Sequence, residues 1–209
     1  MSALNKLACS QNRKDEILNQ QLAKQLANNK NIDGIKEIAE NLWNKDRNIQ
    51  NDCLKVLYEI GYINPELVGD YIFDFLRLLK SKNNRLVWGG MIALSTIAEI
   101  KSKEIFDNLD EILNAIEKGS VITVDNGIKT LSKVASTKKE YGIRIFPYLI
   151  NHLKNCRPKE IPMHAKFIMY AVNSDNKNEF AEILEKRKNI LKPSQVKRIE
   201  KIFKHLGKI

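Results

Sequence analysis

The sequence lacks the features that would place it in several large classes of protein. Charged or amide side chains interrupt every apolar stretch before it reaches the roughly 18 residues of a membrane span. Its three cysteines, Cys9, Cys53 and Cys156, lie far apart and form no CxxC pair, so we predict neither a disulfide framework nor a zinc site. Only 9 Gly and 5 Pro are present, which excludes collagen-like and low-complexity chains. We therefore expect a folded cytoplasmic protein with no membrane partner.

Motifs for nucleotide binding and for the common hydrolases are also missing. The sequence contains no GxGxxG, P-loop, HExxH or GxSxG pattern, which leaves nucleotide hydrolysis and serine or zinc hydrolase chemistry without support. Its three histidines, His152, His164 and His205, share no spacing typical of metal ligands. The sequence thus predicts no cofactor and no metal ion.

Basic residues exceed acidic ones, and the excess is uneven. The 209 residues include 35 Lys and Arg against 25 Asp and Glu, for a formal net charge of +10. Residues 176–209 alone hold ten basic and four acidic side chains. Such a basic end would attract polyanions, although Lys-rich helix surfaces are also common as simple solvated faces.

Apolar residues recur at intervals of 37 along most of the chain. Within each unit they fall at i, i+3, i+4 and i+7, which places them on one face of a helix. The four columns are Ile35, Ile72, Leu109 and Phe146; Ile38, Phe75, Ile112 and Leu149; Ala39, Leu76, Leu113 and Ile150; and Leu42, Leu79, Ile116 and Leu153.

A second helix is predicted in each unit by the same spacing. Its columns include Cys53, Val56, Leu57 and Ile60, then Gly90, Ala93, Leu94 and Ile97, then Gly127, Thr130, Leu131 and Val134. The first column, which continues at Ala165, is small throughout. Glycine inside a helix costs about 1 kcal/mol relative to alanine, so this column indicates close contact between neighbouring helices.

The predicted fold is all-α, because no segment shows a sustained two-residue alternation. A lone helix pair cannot cover its apolar face, so the pairs are expected to stack into a right-handed α-α superhelix. We predict a single solenoid domain, 1–209, with about five two-helix repeats behind an N-terminal capping helix. The capping helix is predicted at 12–28 and the repeats at 32–61, 68–98, 105–135, 143–173 and 177–207.

Unit length and column pattern resemble the HEAT-like branch of the armadillo and HEAT superfamily over residues 32–207. The signature motifs of tetratricopeptide and ankyrin repeats are absent. The resemblance implies a shape and no particular activity. It also implies that the second helices line a concave surface, so that residues opposite their buried columns face a groove. Those residues are Lys55, Tyr58, Arg85, Trp88, Ile92, Asp125, Asn126, Lys129, His164, Phe167 and Tyr170.

The function predicted for this groove is non-enzymatic binding of a partner protein or peptide by a monomeric scaffold. Apolar anchors and charged groups that set the register are both available there. The anchors would be Trp88, Ile92, Phe167 and Tyr170, with Arg85, Asp125 and Lys129 setting the register.

Two alternatives remain open. In the first, nucleic acid binds, with bases stacked on Trp88 or Tyr170. Its phosphates would contact Lys55, Arg85, Lys129 and the run Lys186-Arg187-Lys188. In the second, the chain is similar to bacterial DNA glycosylases for alkylated bases, which also have a HEAT-like solenoid. Trp88 and the catalytic candidate Asp125 would then stabilise a cationic transition state. Asp125 would have only a structural role if Thr123 caps a helix that begins there.

Overall fold

A computed structural model of the protein describes residues 2–207 and consists of α-helices joined by short turns and 3-10 segments. No strand occurs in this part of the chain, which confirms the all-α prediction. None of the described helices is long and apolar enough to cross a bilayer. The helices are α1 Ile17–Asn28, α2 Ile32–Glu40, α3 Arg47–Ile63, α4 Ile72–Leu78, α5 Asn84–Ile97, α6 Ser102–Asp107, α7 Leu109–Lys118, α8 Val121–Thr137, α9 Lys139–Asn155, α10 Ile161–Ile168, α11 Lys177–Lys188 and α12 Pro193–Leu206.

Several helices begin where a short polar side chain accepts a hydrogen bond from a free backbone N–H. Asn31 accepts from the N–H of Gly34 at 2.9 Å, and Asp46 accepts from that of Asn48 at 2.8 Å. At the start of α5 the Asn83 side chain accepts a hydrogen bond from the N–H of Arg85. These side chains replace the hydrogen bonds that the first turn of a helix cannot make internally.

The chain divides into two compact units, Met1–Gly127 and Ile128–Ile209, with the boundary inside α8. In the first unit α3 packs against α1, α2 and α5, while α4 packs on α5. In the second unit α10 packs against α9 and α12, and α11 packs against α9 and α12. Each unit therefore contains helix pairs, while the single-domain assignment and the limits of the five repeats stay predictions.

The residues of the 37-residue columns are buried, as their spacing predicts. In the first-helix columns only Leu113 is partly exposed, and the side chains of Ile35, Phe75, Ile112 and Leu149 are fully inaccessible. The small column of Cys53, Gly90, Gly127 and Ala165 is also buried. The repeat spacing thus identified the core of both units.

The N-terminal helix is shorter than predicted. A 3-10 segment, Cys9–Gln11, ends at Asn12, whose φ of 54° lies in the left-handed region and stops helical propagation. The Asp15 carboxylate then accepts a hydrogen bond of 3.1 Å from the N–H of Ile17, where α1 begins. Helix α1 lies against α3, so it covers part of the surface that the sequence analysis assigned to an open groove.

Candidate functional site

Two of the predicted groove residues, Lys55 and Tyr58 of α3, are buried instead of exposed. The Lys55 ammonium forms ion pairs of 2.9 Å with Glu16 and 2.7 Å with Glu59, and it lies 4.9 Å from the centre of the Tyr58 ring. Burial alone would lower the pKa of Lys55, but its hydrogen bonds to the two carboxylates outweigh that effect and raise it. Burial raises the pKa of Tyr58 to about 12. The prediction that these side chains face open solvent is wrong, because α1 packs against α3 and Glu16, which precedes α1, pairs with Lys55.

Arg85 and Trp88 of α5 lie together at the edge of the same cluster. The Arg85 guanidinium is exposed, sits 5.8 Å from the centre of the Trp88 ring and forms an ion pair of 3.2 Å with Glu16. Trp88 and Ile92 are half-buried. The structure therefore brings Lys55 and Arg85 to one carboxylate, and their positive charge is partly neutralised from within the chain.

Asp125 and Asn126 lie in the second turn of α8. The helix begins at Val121, and the Ser120 hydroxyl accepts a hydrogen bond from the N–H of Thr123 at 3.4 Å. The interpretation of Thr123 as the helix cap is therefore wrong, since Thr123 lies inside the helix. The Asn126 amide donates to the Ile122 carbonyl oxygen at 2.9 Å. The catalytic role considered for Asp125 stays a prediction.

The remaining predicted residues belong to the second unit and differ in exposure. Tyr170 is half-exposed, and the Lys133 ammonium lies 5.9 Å from the centre of its ring. Phe167 and Lys129 are half-buried. His164 is completely buried, so the expectation that it faces a groove is wrong; its side chain points toward α9 instead.

A cleft of about 610 Å³ lies between α10 and α12. Its lining combines four apolar or aromatic side chains with three cationic ones and a histidine, and none of the described residues that line it is acidic. The lining consists of Pro162, Lys166, Met169, Tyr170, Arg198, Lys201, Ile202 and His205. Clefts of this size that mix apolar and a few polar groups are the usual form of a binding site.

Sequence reasoning found only one residue of this α10–α12 cleft, Tyr170. The available signal was the concentration of basic residues after position 176, which includes Arg198 and Lys201. The 37-residue columns described what is buried within each helix pair. The columns did not predict that the polar face of α12 would form one wall of a cleft beside α10.

The basic run Lys186-Arg187-Lys188 has a structural role that the nucleic-acid alternative did not include. Arg187 donates hydrogen bonds to the carbonyl oxygens of Leu153 at 3.2 Å and Cys156 at 2.7 Å, and also to that of Lys154. Leu153 and Lys154 lie in the last turn of α9, where carbonyls lack partners within the helix, and Cys156 follows directly. The Arg187 guanidinium is therefore committed to the end of α9 and is not available to contact phosphates.

The structure also brings together His152, Cys156 and His164, for which no metal-binding spacing was recognised in the sequence. His152 Nε2 lies 2.9 Å from His164 Nδ1, and the ligand atoms of His152, Cys156 and His164 all lie within 4.8 Å of one another. Burial and the adjacent His164 hold the pKa of His152 down at about 4. Burial also raises the pKa of the Cys156 thiol to about 11. His152 and Cys156 lie four residues apart at the end of α9, a spacing that one helical turn brings together, but only the packing of α10 adds His164.

No family model and no curated protein matches the chain. Solved structures do match it. An engineered protein aligns over all of both chains with a TM-score of 0.68 and 16% identity. A designed armadillo repeat protein in complex with the peptide (KR)4 aligns over 87% of this chain and 84% of its own, with a TM-score of 0.66 and 13% identity. Kap121p bound to Pho4p aligns over 95% of this chain but only 22% of its own, with a TM-score of 0.63 and 16% identity.

At these identities the likenesses concern the fold alone. They extend over both units, and one of the similar structures is a designed armadillo repeat protein, which confirms the predicted all-α helical repeat class. The chain therefore has the fold of the armadillo and HEAT-like helical repeat proteins.

Proposed function

We propose that this chain is a protein-binding module and that its α10–α12 cleft holds an acidic segment of a partner protein. The observation that supports this function is the lining of the cleft, which joins apolar side chains to Lys166, Arg198 and Lys201 without an acidic residue among the described ones. Such a surface matches a peptide that brings a carboxylate and an apolar side chain together.

Some of the similar structures are complexes with a peptide or another protein, which supports a binding role in general. The peptide held by the designed armadillo repeat protein is the basic (KR)4, and Kap121p is bound to Pho4p. In the present chain the cleft itself is basic, so charge complementarity requires the opposite sign in its ligand. We therefore propose an acidic peptide as the ligand of this cleft.

The phosphates of a nucleic acid would pair with the basic side chains of the cleft, but its bases would match the apolar side chains less well. Bases stack on aromatic rings and on guanidinium planes, and Tyr170, His205 and Arg198 offer such surfaces. Pro162, Met169 and Ile202, however, give the cleft an aliphatic part that does not suit stacking. A peptide side chain fills such an irregular apolar surface better than a base does. The proposal also includes no catalytic step.

Selection of peptides from a displayed random library on the immobilised chain tests the proposal. We expect enriched sequences with net negative charge and at least one large apolar residue. The selected peptide should lose about tenfold in affinity with Arg198→Ala/Lys201→Ala and with Tyr170→Ala. Lys197→Ala/Lys204→Ala provides a matched control, because it removes the same charge from exposed positions of α12 that do not line the cleft.

Three results would contradict this function. They are enrichment of basic or neutral peptides, equal losses in the two double variants, and tight binding of single-stranded DNA with a steep salt dependence that depends on Arg198 and Lys201. The last result would support the nucleic-acid alternative. Of the predicted binding residues outside the cleft, Arg85, Trp88, Ile92, Asp125, Asn126, Lys129 and Phe167 stay predictions, as do the monomeric state and the cytoplasmic location.

A further inference from the structure

The end of α9 and the middle of α10 present three metal-binding side chains to one point. His152 lies in the last turn of α9, Cys156 follows the helix directly, and His164 faces them from α10. His164 and Cys156 are buried, and His152 is half-buried. The ligand atoms of all three lie within 4.8 Å of one another.

The backbone that holds these side chains is itself fixed by hydrogen bonds. The N–H of Cys156 donates to the His152 carbonyl oxygen at 2.8 Å, and the Cys156 carbonyl accepts from Arg187 at 2.7 Å. On α10 the N–H of His164 donates to the Glu160 carbonyl oxygen at 2.9 Å. The backbone at Cys156 and His164 is therefore fixed by hydrogen bonds, and the Cys156 thiol itself donates to the Leu153 carbonyl oxygen at 3.8 Å.

We propose that His152, Cys156 and His164 bind one Zn²⁺ ion through two imidazole nitrogens and one thiolate. Two imidazoles and a thiolate suit zinc and cobalt, whereas magnesium and calcium prefer oxygen ligands. Three protein ligands leave the fourth tetrahedral position to a water molecule.

The spacing of the ligand atoms fits this ion after a small adjustment. Zinc bonds of about 2.0–2.1 Å to nitrogen and 2.3 Å to sulfur place tetrahedral ligand atoms roughly 3.3–3.6 Å apart. The two histidine nitrogens now lie 2.9 Å apart, joined by a hydrogen bond, and the widest separation in the cluster is at most 4.8 Å. Binding would replace the hydrogen bond between the rings by two bonds to the metal, and each atom would move by about 1 Å or less.

Charges of both signs lie near the site, since Glu160 faces the ligand residues and the Arg187 guanidinium lies beside Cys156. Binding releases the Cys156 proton to solvent, so that a divalent ion with two neutral imidazoles and one thiolate has a net charge of +1. The carboxylate of Glu160, which is almost buried, accepts hydrogen bonds from the backbone N–H and the Nε of Arg157 at 3.1 and 2.8 Å. Glu160 interacts electrostatically with all three ligand residues.

Titration of the untagged, metal-free full-length protein with Co²⁺ tests the proposal directly. We expect one ion per chain, a near-ultraviolet charge-transfer band from the thiolate and the intense visible bands of tetrahedral cobalt, all displaced by Zn²⁺. Competition with a chromophoric chelator then measures the zinc affinity. Cys156→Ser should abolish the thiolate band, and His152→Ala and His164→Ala should each weaken zinc binding by about 100-fold or more.

Controls from the same chain separate this site from adventitious binding. Cys9→Ser and His205→Ala alter a cysteine and a histidine outside the cluster and should leave the spectrum and the affinity unchanged. If His164→Ala fails to fold, as judged by circular dichroism, the half-buried His152 provides the alternative variant. Absence of the thiolate band from the unmodified protein would overturn the proposal, as would a band that persists in Cys156→Ser or an octahedral cobalt spectrum. Because the test uses no peptide, its result is independent of the proposed function.

Discussion

The guanidinium of Arg187 donates a hydrogen bond of 2.7 Å to the carbonyl oxygen of Cys156, one residue beyond the end of α9. A second hydrogen bond, of 3.2 Å, joins Arg187 to the carbonyl of Leu153. A side chain from α11 thus completes the hydrogen bonding of α9, and it does so next to the proposed zinc ligands.

Loss of this contact is expected to destabilise the second unit. We predict that Arg187→Ala lowers the free energy of unfolding by about 2 kcal/mol, because hydrogen bonds to a charged donor are stronger than neutral ones and the carbonyls would lose their partner. Arg187→Lys should have a free energy of unfolding between those of the unmodified protein and Arg187→Ala, since an ammonium cannot reproduce the planar arrangement of guanidinium donors. Urea denaturation provides the measurement.

The neighbouring Lys186 serves as the control for this change. Its exposed ammonium pairs with Glu182, four residues earlier on the same helix. Lys186→Ala should alter the free energy of unfolding by about 0.5 kcal/mol or less. Equal effects of the two alanine variants would show that Arg187 does not stabilise the end of α9.

Gly127 allows α8 to approach α7 closely. A β-carbon at this position would lie 2.4 Å from the Cγ1 atom of Ile116, a buried side chain. We expect Gly127→Ala to lower the free energy of unfolding by about 2 kcal/mol through overpacking. The same change should cost less in an Ile116→Ala background, where the collision is removed.

A glycine without such a neighbour is available for comparison. At Gly207 the nearest atom to an added β-carbon is 3.8 Å away, and the backbone φ of −64° suits any residue. Gly207→Ala is therefore expected to change the free energy of unfolding by about 0.5 kcal/mol or less. If Gly127→Ala lowers the free energy of unfolding by the same amount with and without Ile116→Ala, the packing explanation is contradicted.

The buried ammonium of Lys55 depends on two carboxylates. The double variant Glu16→Gln/Glu59→Gln would leave this charge without an ionised partner, so we expect it to lower the free energy of unfolding by about 2–3 kcal/mol. Lys55→Met should lower the free energy of unfolding by less than the double variant does, because it removes the buried charge and keeps most of the side-chain volume. The exposed pair of Lys36 and Glu40, 4.0 Å apart, gives the control variant Glu40→Gln, for which little change is expected. A larger loss in Lys55→Met than in the double variant would contradict this account.

Cys9 is expected to react slowly with alkylating agents. Burial, together with the adjacent Asp52 carboxylate, raises the pKa of its thiol to about 11 from an ordinary value of 9.0. At pH 7.5 its thiolate fraction should be about 100-fold below that of an unperturbed cysteine and should rise about tenfold per pH unit until the pKa is reached. Site-resolved mass spectrometry after iodoacetamide treatment measures the rate.

Asp52→Asn tests the electrostatic part of this prediction. The amide oxygen of Asn can still accept the hydrogen bond that the Cys9 N–H now gives to Asp52 at 2.8 Å, while the negative charge is lost. Alkylation of Cys9 should therefore become faster in this variant at the same pH. An unchanged or slower rate would leave burial as the only cause of the raised pKa.

Local patterns were sufficient to predict the helices and most of the core. The columns that contain Ile38, Phe75, Ile112 and Leu149 required only helical geometry and burial of apolar surface, and all four side chains are fully buried. Prediction of the site was less successful. The groove positions of Lys55, Tyr58 and His164 followed from helix phase and from the resemblance to HEAT-like proteins, and neither shows which neighbouring element covers a given helix face in this chain.

The sequence by itself determined that the chain forms paired helices with a repeated buried face, because helical periodicity and hydrophobic burial act over a few turns of one segment. Only the tertiary structure decided which side chains from different helices meet. The α10–α12 cleft and the cluster of His152, Cys156 and His164 depend on the path of the turn between α9 and α10 and on how α12 packs. Those positions follow from the summed contacts of many residues, so no spacing within one helix specifies them.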